Sequence, residues 1–278
     1  MNMLTNIFVR DFLILLVIGL SVSSVGFKKL VYFVSIGYAF SISIMSVAMI
    51  IIHRNALFSE SGVFYLLHSF ILIIYGIRLG SYILAREKSE VYKKENDDIK
   101  SRAAGVTIFK KIGIWIGVSI LYAAMFMPCL YNIHFLLSSG TTPWTLLAGV
   151  TVSAAGLILE ASADFQKSRF KQKHPGDFCS TGLYRFVRCP NYLGEITFWT
   201  GSLVAGISAY RNPAAWVIVI FGYVCIVLIM MGSTKRLESK QEERYGSRDD
   251  YRNFCARVPV LFPFIPLYSL KKIKVYLE

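Results

Sequence analysis

Residues 112–159 read IGIWIGVSILYAAMFMPCLYNIHFLLSSGTTPWTLLAGVTVSAAGLIL, and none of these 48 positions is Asp, Glu, Lys or Arg. A helix that crosses a bilayer needs about 20 apolar residues, so this stretch is long enough for two crossings. Its middle, SSGTTPW at 138–144, carries the Gly and Pro that are typical of a turn. The stretch therefore predicts two membrane helices joined by a short connection.

Five further stretches combine low charge with the length of a membrane helix. They lie at about residues 8–27, 30–52, 62–85, 192–210 and 212–233. We interpret the first as a membrane helix and not as a cleavable signal peptide, because the charges before it cancel. Together the stretches predict an all-α membrane protein of about seven transmembrane helices, which forms a single polytopic domain over residues 1–278.

The composition and the distribution of charge agree with a membrane protein. Hydrophobic residues make up 55% of the chain, which is more than a soluble domain of this size needs. With seven crossings, 26 of the 30 Lys and Arg residues fall on one side of the membrane and three on the other. Cytosolic segments carry such an excess, so we predict an outside N-terminus and a cytosolic C-terminus. Topology then explains the net charge of +13, and we expect no nucleic-acid partner.

The five cysteines and four histidines give no sign of a disulfide framework or a metal site. No two cysteines form a CxxC pair, and the histidines do not follow a ligand spacing. We therefore expect no bound metal.

One charged side chain lies inside a predicted span, where charges are expensive and usually functional. Arg78 shares one helix face with Tyr75, Tyr82 and Arg86, which follow the spacing i, i+3, i+7, i+11. Such a stripe fits a phosphate-bearing ligand that enters from the cytosol. The alternative is structural: Arg78 has a protein partner, and Arg86 extends to the membrane interface.

The densest polar motif is TGLYRFVRCPNYLGEITFW at 181–199. Arg185 and Arg188 can grip a phosphate through paired hydrogen bonds. Asn191 follows a proline that can begin a helix, whose first amides attract an anion, and Glu195 lies one turn later. Polar residues before the motif extend this group: Glu160, Asp164 and Arg169. The alternative interpretation is a polar hairpin with ordinary cytosolic arginines.

The same motif, in the form GLYRFVRCPNYLGEITFW at 182–199, resembles the C-terminal signature of the steroid 5-alpha-reductase-like membrane family, which includes the DUF1295 proteins. YGIRLGSYILAR at 75–86 is similar to the same family. So is the tail, with ERYG at 243–246 and the apolar strap VPVLFPFIP at 258–266. The resemblance covers about residues 70–266.

The resemblance implies a reductase that passes a hydride from NADPH to an activated C=C bond of a lipid taken from the bilayer. Tyr75 is the implied catalytic residue, a donor to the substrate carbonyl where negative charge develops. The predicted cofactor-binding residues are Arg78, Tyr82, Asp164, Arg169, Arg185, Arg188, Asn191, Tyr192, Glu195, Arg236 and Glu238. The membrane implied is the endoplasmic reticulum in a eukaryote or the inner membrane in a bacterium.

Two positions depart from the family pattern. Cys189 stands where the family usually has a histidine, which removes a titratable donor. The stretch 30–52 lacks the acidic residue that anchors a ketone in the steroid reductases; Tyr32, Tyr38 and several serines are its polar groups. This departure argues against a 3-ketosteroid substrate.

Two alternatives remain open at this stage. The isoprenylcysteine carboxyl methyltransferases resemble the same region, so a membrane methyltransferase that uses S-adenosylmethionine is one alternative. A lipid-binding membrane protein without enzymatic activity is the other, because a fold does not fix a function. The number of helices and the NYLGE sequence at 191–195 favour the reductase.

Overall fold

A computed structural model of the protein describes residues 3–87, 105–271 and 273, and every regular element in these ranges is helical. The α-helices are α1 (Met3–Ser23), α2 (Ile36–Ile52), α3 (Arg54–Leu57), α4 (Val63–Glu87), α5 (Ile108–Ser139), α6 (Trp144–Lys173), α7 (Pro190–Ala205), α8 (Pro213–Tyr245) and α9 (Asp249–Arg257). The predicted all-α class is confirmed. Most of the charged loop that the sequence places after the third span lies outside the described residues.

Six helical stretches in the described residues are long and apolar enough to cross a membrane. They are Leu4–Phe27, Leu30–Ile52, Glu60–Glu87, Ile108–Ser139, Trp144–Lys173 and Pro213–Tyr245. The predicted span at 192–210 instead contains α7, whose 16 residues extend about 24 Å, less than the roughly 30 Å of a bilayer core. The apolar run continues to Tyr210, but the α-helix stops at Ala205, and the Tyr210 hydroxyl donates to the carbonyl oxygen of Leu203 (2.8 Å). The sidedness of the termini stays a prediction.

The chain divides into two compact units. Unit 1 comprises Met1–Val150 and Leu203–Gly222, and unit 2 comprises Thr151–Ser202 and Tyr223–Glu278. Helices α6, α7 and α8 therefore each contribute residues to both units.

In unit 1, small residues bring α2 and α4 into close contact. A Cβ atom at Gly76 would overlap the backbone of Ala39, so only glycine allows this approach. The Ser43 hydroxyl donates to the carbonyl oxygen of Ile73 (3.1 Å), and Ser46 does the same to Ser69 (3.1 Å). Close backbone approach and hydroxyl bonds are the main means by which helices associate in lipid, where burial of apolar surface gives little drive.

In unit 2, α6 and α7 cross in the same way. Gly156 faces the backbone of Phe198, and Gly194 faces the backbone of Glu160. The Ser153 hydroxyl donates to the carbonyl oxygen of Phe198 (2.9 Å). This crossing fixes the first turns of α7, which carry the conspicuous polar motif, against α6.

Replacing Gly194 with alanine is expected to destabilise unit 2. The new Cβ would lie 2.6 Å from the backbone nitrogen of Glu160, so the two helices must separate. Overpacking of this kind costs about 1–3 kcal/mol. The matched control is Gly117→Ala on α5, where a Cβ meets nothing within 4 Å. Thermal unfolding in detergent should separate the two variants, and equal melting temperatures would contradict the close crossing.

Candidate functional site

Two buried tyrosines form the centre of unit 1. Tyr75 on α4 is fully buried, and its hydroxyl oxygen lies 2.7 Å from that of Tyr38 on α2. The Tyr38 ring also lies 5.5 Å from the ring of Tyr122, whose hydroxyl donates to the carbonyl oxygen of Phe33. The predicted catalytic residue is therefore held by a hydroxyl group from α2, the helix in which the acidic residue of the steroid reductases is missing.

The other predicted residues of α4 lie further along the same helix. Arg78 and Tyr82 are both half-buried, and the Arg86 guanidinium lies 5.9 Å from the centre of the Tyr82 ring. At the end of the helix, Glu87 accepts hydrogen bonds from Lys29 Nζ (2.6 Å) and from the Tyr32 hydroxyl (2.6 Å). The residues of the predicted stripe thus lie along α4, and the helix ends at the ion pair between Lys29 and Glu87.

In unit 2, the polar motif begins with a tight turn that α6 holds in place. Gly182 has a positive φ of 59°, a conformation that favours glycine. The Leu183 amide donates to Gln166 Oε1 (2.9 Å), and the Tyr184 hydroxyl donates to the carbonyl oxygen of Ala163 (3.2 Å). These bonds connect the motif to the middle of α6.

Three predicted cofactor-binding residues follow on α7. Asn191 is in the first turn, and its Oδ1 atom is buried and accepts no hydrogen bond from any described residue. Tyr192 is half-buried, and Glu195 is buried one turn after Asn191. On α6, Glu160 and Asp164 are also buried. Helices α6 and α7 therefore hold three buried carboxylates and one buried amide oxygen that accepts no hydrogen bond from the described residues.

Arg188 has a different environment from the one that its motif predicts. Its side chain is only 3% exposed and donates to Glu238 Oε1 on α8 (3.3 Å), to Cys255 Sγ on α9 (3.2 Å) and to the carbonyl oxygen of Tyr268. Glu238 in turn accepts from the Leu270 amide at Oε2 (3.0 Å). Two predicted cofactor-binding residues thus form a buried ion pair that holds the C-terminal segment.

Backbone hydrogen bonds strengthen the same attachment. The amides of Arg188 and Cys189 donate to the carbonyl oxygens of Pro259 (2.9 Å) and Val260 (3.1 Å). The Val260 amide donates to Leu267 (2.8 Å), which closes the apolar strap into a loop. At the tip of this loop Phe264 is 96% exposed, as expected of a side chain that meets a membrane interface.

Three predicted arginines lie at the surface of unit 2. Arg169 is exposed at the end of α6, Arg185 stacks over its neighbour Phe186 (5.6 Å), and Arg236 donates to Ser233 Oγ (3.1 Å). None of these contacts ties them to the buried group around Arg188.

Unit 2 also carries a groove near α9, of about 420 Å³. Phe178, Ser180, Asp250, Asn253, Phe254, Arg257 and Val258 line it. Beside it, Arg248 forms ion pairs with Asp177 (2.9 Å) and Asp250 (2.6 Å), and its hydrogen bonds lower the pKa of Asp250. The lining includes none of the predicted cofactor-binding residues.

The thiol of Cys189 is expected to resist alkylation. Burial raises its pKa from 9.0 to about 11, and the cations Lys167 and Arg188 offset only part of this effect. The thiolate is the nucleophile, and each unit of pKa changes its amount tenfold, so at mild alkaline pH Cys189 holds about a hundredth of the usual thiolate. After brief iodoacetamide treatment, mass spectrometry should find Cys255, which is half-buried, modified before Cys189. Rapid labelling of Cys189 in the folded protein would contradict its burial.

Sequence reasoning missed two groupings. The sequence pattern marks Tyr38 as a polar residue of a predicted span, but it does not indicate that Tyr38 pairs with Tyr75. A second group lies in unit 1, where Asp11 Oδ2 is 2.7 Å from His53 Nε2 and 2.9 Å from His134 Nε2. These three residues are on separate helical segments, so no spacing along the chain could reveal them.

The helices of spanning length define the class of the protein: it is an integral, all-α membrane protein. The chain belongs to the family described as "Protein of unknown function (DUF1295)", whose model matches residues 25–258. The DUF1295 part of the predicted resemblance is therefore confirmed.

A relative is an uncharacterized protein of Schizosaccharomyces pombe (strain 972), which is 33% identical over 86 residues. The match covers 31% of this chain and 24% of the yeast protein, so this chain spans about a quarter of its relative. No solved structure matches the chain.

Proposed function

We propose that this protein is a membrane reductase that passes a hydride from NADPH to an activated C=C bond of a lipid, such as a steroid-like or isoprenoid compound. The observation that carries the proposal is the buried hydroxyl pair of Tyr75 and Tyr38, 2.7 Å apart. When a hydride adds to a C=C bond conjugated to a carbonyl group, negative charge collects on the carbonyl oxygen. A fixed O–H donor at that oxygen lowers the barrier.

The proposed division of work between the two tyrosines follows from their hydrogen bond. Either hydroxyl can be the donor in this bond, and we propose that Tyr38 donates to the Tyr75 oxygen when Tyr75 donates to the substrate carbonyl. Hydrogen bonds in a chain polarise one another, so Tyr38 makes Tyr75 a stronger donor. A neutral phenol pair does this without a buried charge, which would be expensive to desolvate. The pair thus takes the place of the carboxylate that helix α2 lacks.

Unit 2 supports the proposed dinucleotide with a donor set of the right chemistry. The buried Oδ1 of Asn191 accepts no hydrogen bond from the described residues, and it would accept one from an amide or hydroxyl group of the nucleotide. The buried carboxylates of Asp164 and Glu195 would accept from ribose hydroxyls. When bound, NADPH supplies the hydride, whereas these residues supply binding and orientation.

The remaining predicted residues take proposed roles that fit their exposure. The exposed guanidinium groups of Arg169, Arg185 and Arg236 would meet phosphate groups, and the half-buried Tyr192 stays a proposed cofactor contact. Arg78 and Tyr82 are retained as proposed cofactor contacts. Arg188 and Glu238 are better assigned to positioning, because their hydrogen bonds hold the C-terminal segment in place.

Ligand-dependent thermal stability of the detergent-purified protein tests the cofactor. NADPH is expected to raise the melting temperature, and Asn191→Ala is expected to abolish the rise. The matched control is Asn253→Ala, which alters an exposed asparagine on α9 and should leave the rise intact. Stabilisation by S-adenosylmethionine instead of NADPH would overturn the proposal in favour of a methyltransferase. A co-purified lipid with no response to either cofactor would favour a lipid-binding protein.

Turnover tests the reaction. The purified protein is mixed with a long-chain prenyl or steroidal enone and with NADPH that carries deuterium at the reactive position. We expect NADPH to be consumed and the deuterium to appear on the carbon β to the product carbonyl. Loss of the deuterium to water would exclude direct hydride transfer.

A further inference from the structure

The group of Asp11, His53 and His134 lies in unit 1 and takes no part in the proposed reduction. Asp11 is on α1 and is fully buried, His53 follows α2 directly and is 8% exposed, and His134 is on α5. The two histidine nitrogens approach the same carboxylate oxygen, at 2.7 Å and 2.9 Å, and all three atoms lie within 4.8 Å of one another. Three segments that are distant in sequence thus converge on one point.

We propose that these three side chains bind a divalent transition-metal ion, with Zn²⁺ as the preferred ion. Two imidazole nitrogens and one carboxylate oxygen are a donor set that zinc accepts, with water as a fourth ligand. Bonds of about 2.0–2.2 Å at tetrahedral angles separate ligand atoms by about 3.4 Å. In the structure the carboxylate oxygen lies 2.7 Å and 2.9 Å from the two nitrogens, and all three atoms lie within 4.8 Å of one another, so an ion fits after small rotations move the side chains apart.

The surroundings of the three ligands favour this assignment. Arg10 donates to the other oxygen of Asp11 from Nε (3.0 Å) and from a terminal nitrogen (2.7 Å), which leaves Oδ2 facing the histidines. Groups in the second shell commonly hold a ligating carboxylate in this manner. The His134 side chain is 12% exposed, so the protein does not fully enclose the group.

The ion would connect α1, the end of α2 and α5. No disulfide joins these segments among the described residues, and residues 11 and 134 are 123 positions apart. Because a metal site is assembled only in the folded chain, binding free energy adds to folding free energy. The inference therefore gives the site a stabilising role that does not depend on the proposed reductase activity.

Metal analysis of the unmodified, detergent-purified chain is the first test. After treatment with a chelator and dialysis, titration with Zn²⁺ should load about one ion per chain and raise the melting temperature. Titration with Co²⁺ should produce the visible absorption of a tetrahedral site. Failure of the unmodified protein to bind either ion in a one-to-one ratio would overturn the proposal, and would show that the three residues form a hydrogen-bonded cluster only.

Variants then locate the ion. His53→Gln and His134→Gln are each expected to weaken Zn²⁺ binding by about 100-fold or more. Loss of a residue that only supports a metal ligand already weakens binding about 10–100-fold, and these variants remove a ligand itself. The matched control is His174→Gln, which removes an exposed histidine after α6 and should leave binding unchanged. One-to-one binding that persists at full affinity in both His53→Gln and His134→Gln would place the ion elsewhere and reject the site.

Discussion

Tyr75→Phe is expected to lower kcat for reduction of a lipid enone about 10²–10³-fold, the usual effect of removing one donor to a developing oxyanion. The substitution deletes a single oxygen from a fully buried side chain whose hydroxyl lies 2.7 Å from that of Tyr38. NADPH binding should not change, because the proposed partner of the lost hydroxyl is the substrate carbonyl and not the cofactor. Stopped-flow or steady-state measurement of NADPH consumption, together with thermal shift, separates the two effects.

Two further tyrosine variants sharpen this test. Tyr38→Phe should lower kcat less than Tyr75→Phe, since Tyr38 acts through Tyr75. Tyr65→Phe is the matched control: Tyr65 is a buried tyrosine of α4 whose hydroxyl donates to the carbonyl oxygen of Thr141 (2.6 Å). It should reduce stability but not kcat. A Tyr75→Phe variant that retains full turnover would remove the central argument for the proposed reaction.

The second large effect is on stability. Arg188→Ala is expected to lower the free energy of unfolding by about 3–5 kcal/mol, because it leaves Glu238 as a buried carboxylate without its cation. The carbonyl oxygen of Tyr268 and the sulfur of Cys255 lose a donor in the same step. Denaturation in detergent, with limited proteolysis of the C-terminal segment, measures the loss and where it occurs.

A double variant distinguishes a lost ion pair from a lost side chain. Arg188→Met with Glu238→Leu removes both charges and keeps apolar volume, so it should regain much of the stability that Arg188→Ala loses. Arg236→Ala is the surface control, because Arg236 is exposed and lies two residues before Glu238 on α8. If Arg188→Ala were no more destabilising than Arg236→Ala, the buried pair would not hold the segment.

Low-charge runs predicted most of the membrane helices closely. The run at 30–52 corresponds to the helical stretch Leu30–Ile52, and the run at 62–85 lies within Glu60–Glu87. The run at 212–233 marks the apolar part of α8, whose polar end continues to Tyr245. Hydropathy marks only the part of a helix that suits lipid, whereas Lys, Glu and Gln continue a helix readily in water.

The stretch at 192–210 matches its predicted helix less closely. It is apolar enough for a span, but its α-helix ends at Ala205, ahead of a turn in which Tyr210 bonds back to Leu203. Composition over a window cannot detect this, because the end depends on a side chain that folds back on the helix. The described residues therefore contain fewer helices of spanning length than the low-charge runs predict.

The candidate site was predicted as a set of residues but not as a set of contacts. The motif identified Arg188 and the tail identified Glu238, yet their hydrogen bond joins positions 50 residues apart. Tyr268 binds Arg188 through its backbone carbonyl, which every residue type has, so the sequence does not indicate this contact. The same reason explains why His53 and His134 looked unremarkable in sequence although both approach Asp11.

The attachment of the strap has a consequence for how the polypeptide matures. Arg188 leaves the ribosome about seventy residues ahead of Pro259, Val260 and Tyr268, which later bind its amide, its neighbour's amide and its guanidinium. Until that segment has been synthesised, the Arg188 guanidinium must stay hydrated or pair with another anion. Unit 2 can complete its folding only after residues 259–268 have been synthesised. Nascent chains halted before residue 259 should therefore be cleaved by proteases near Arg188.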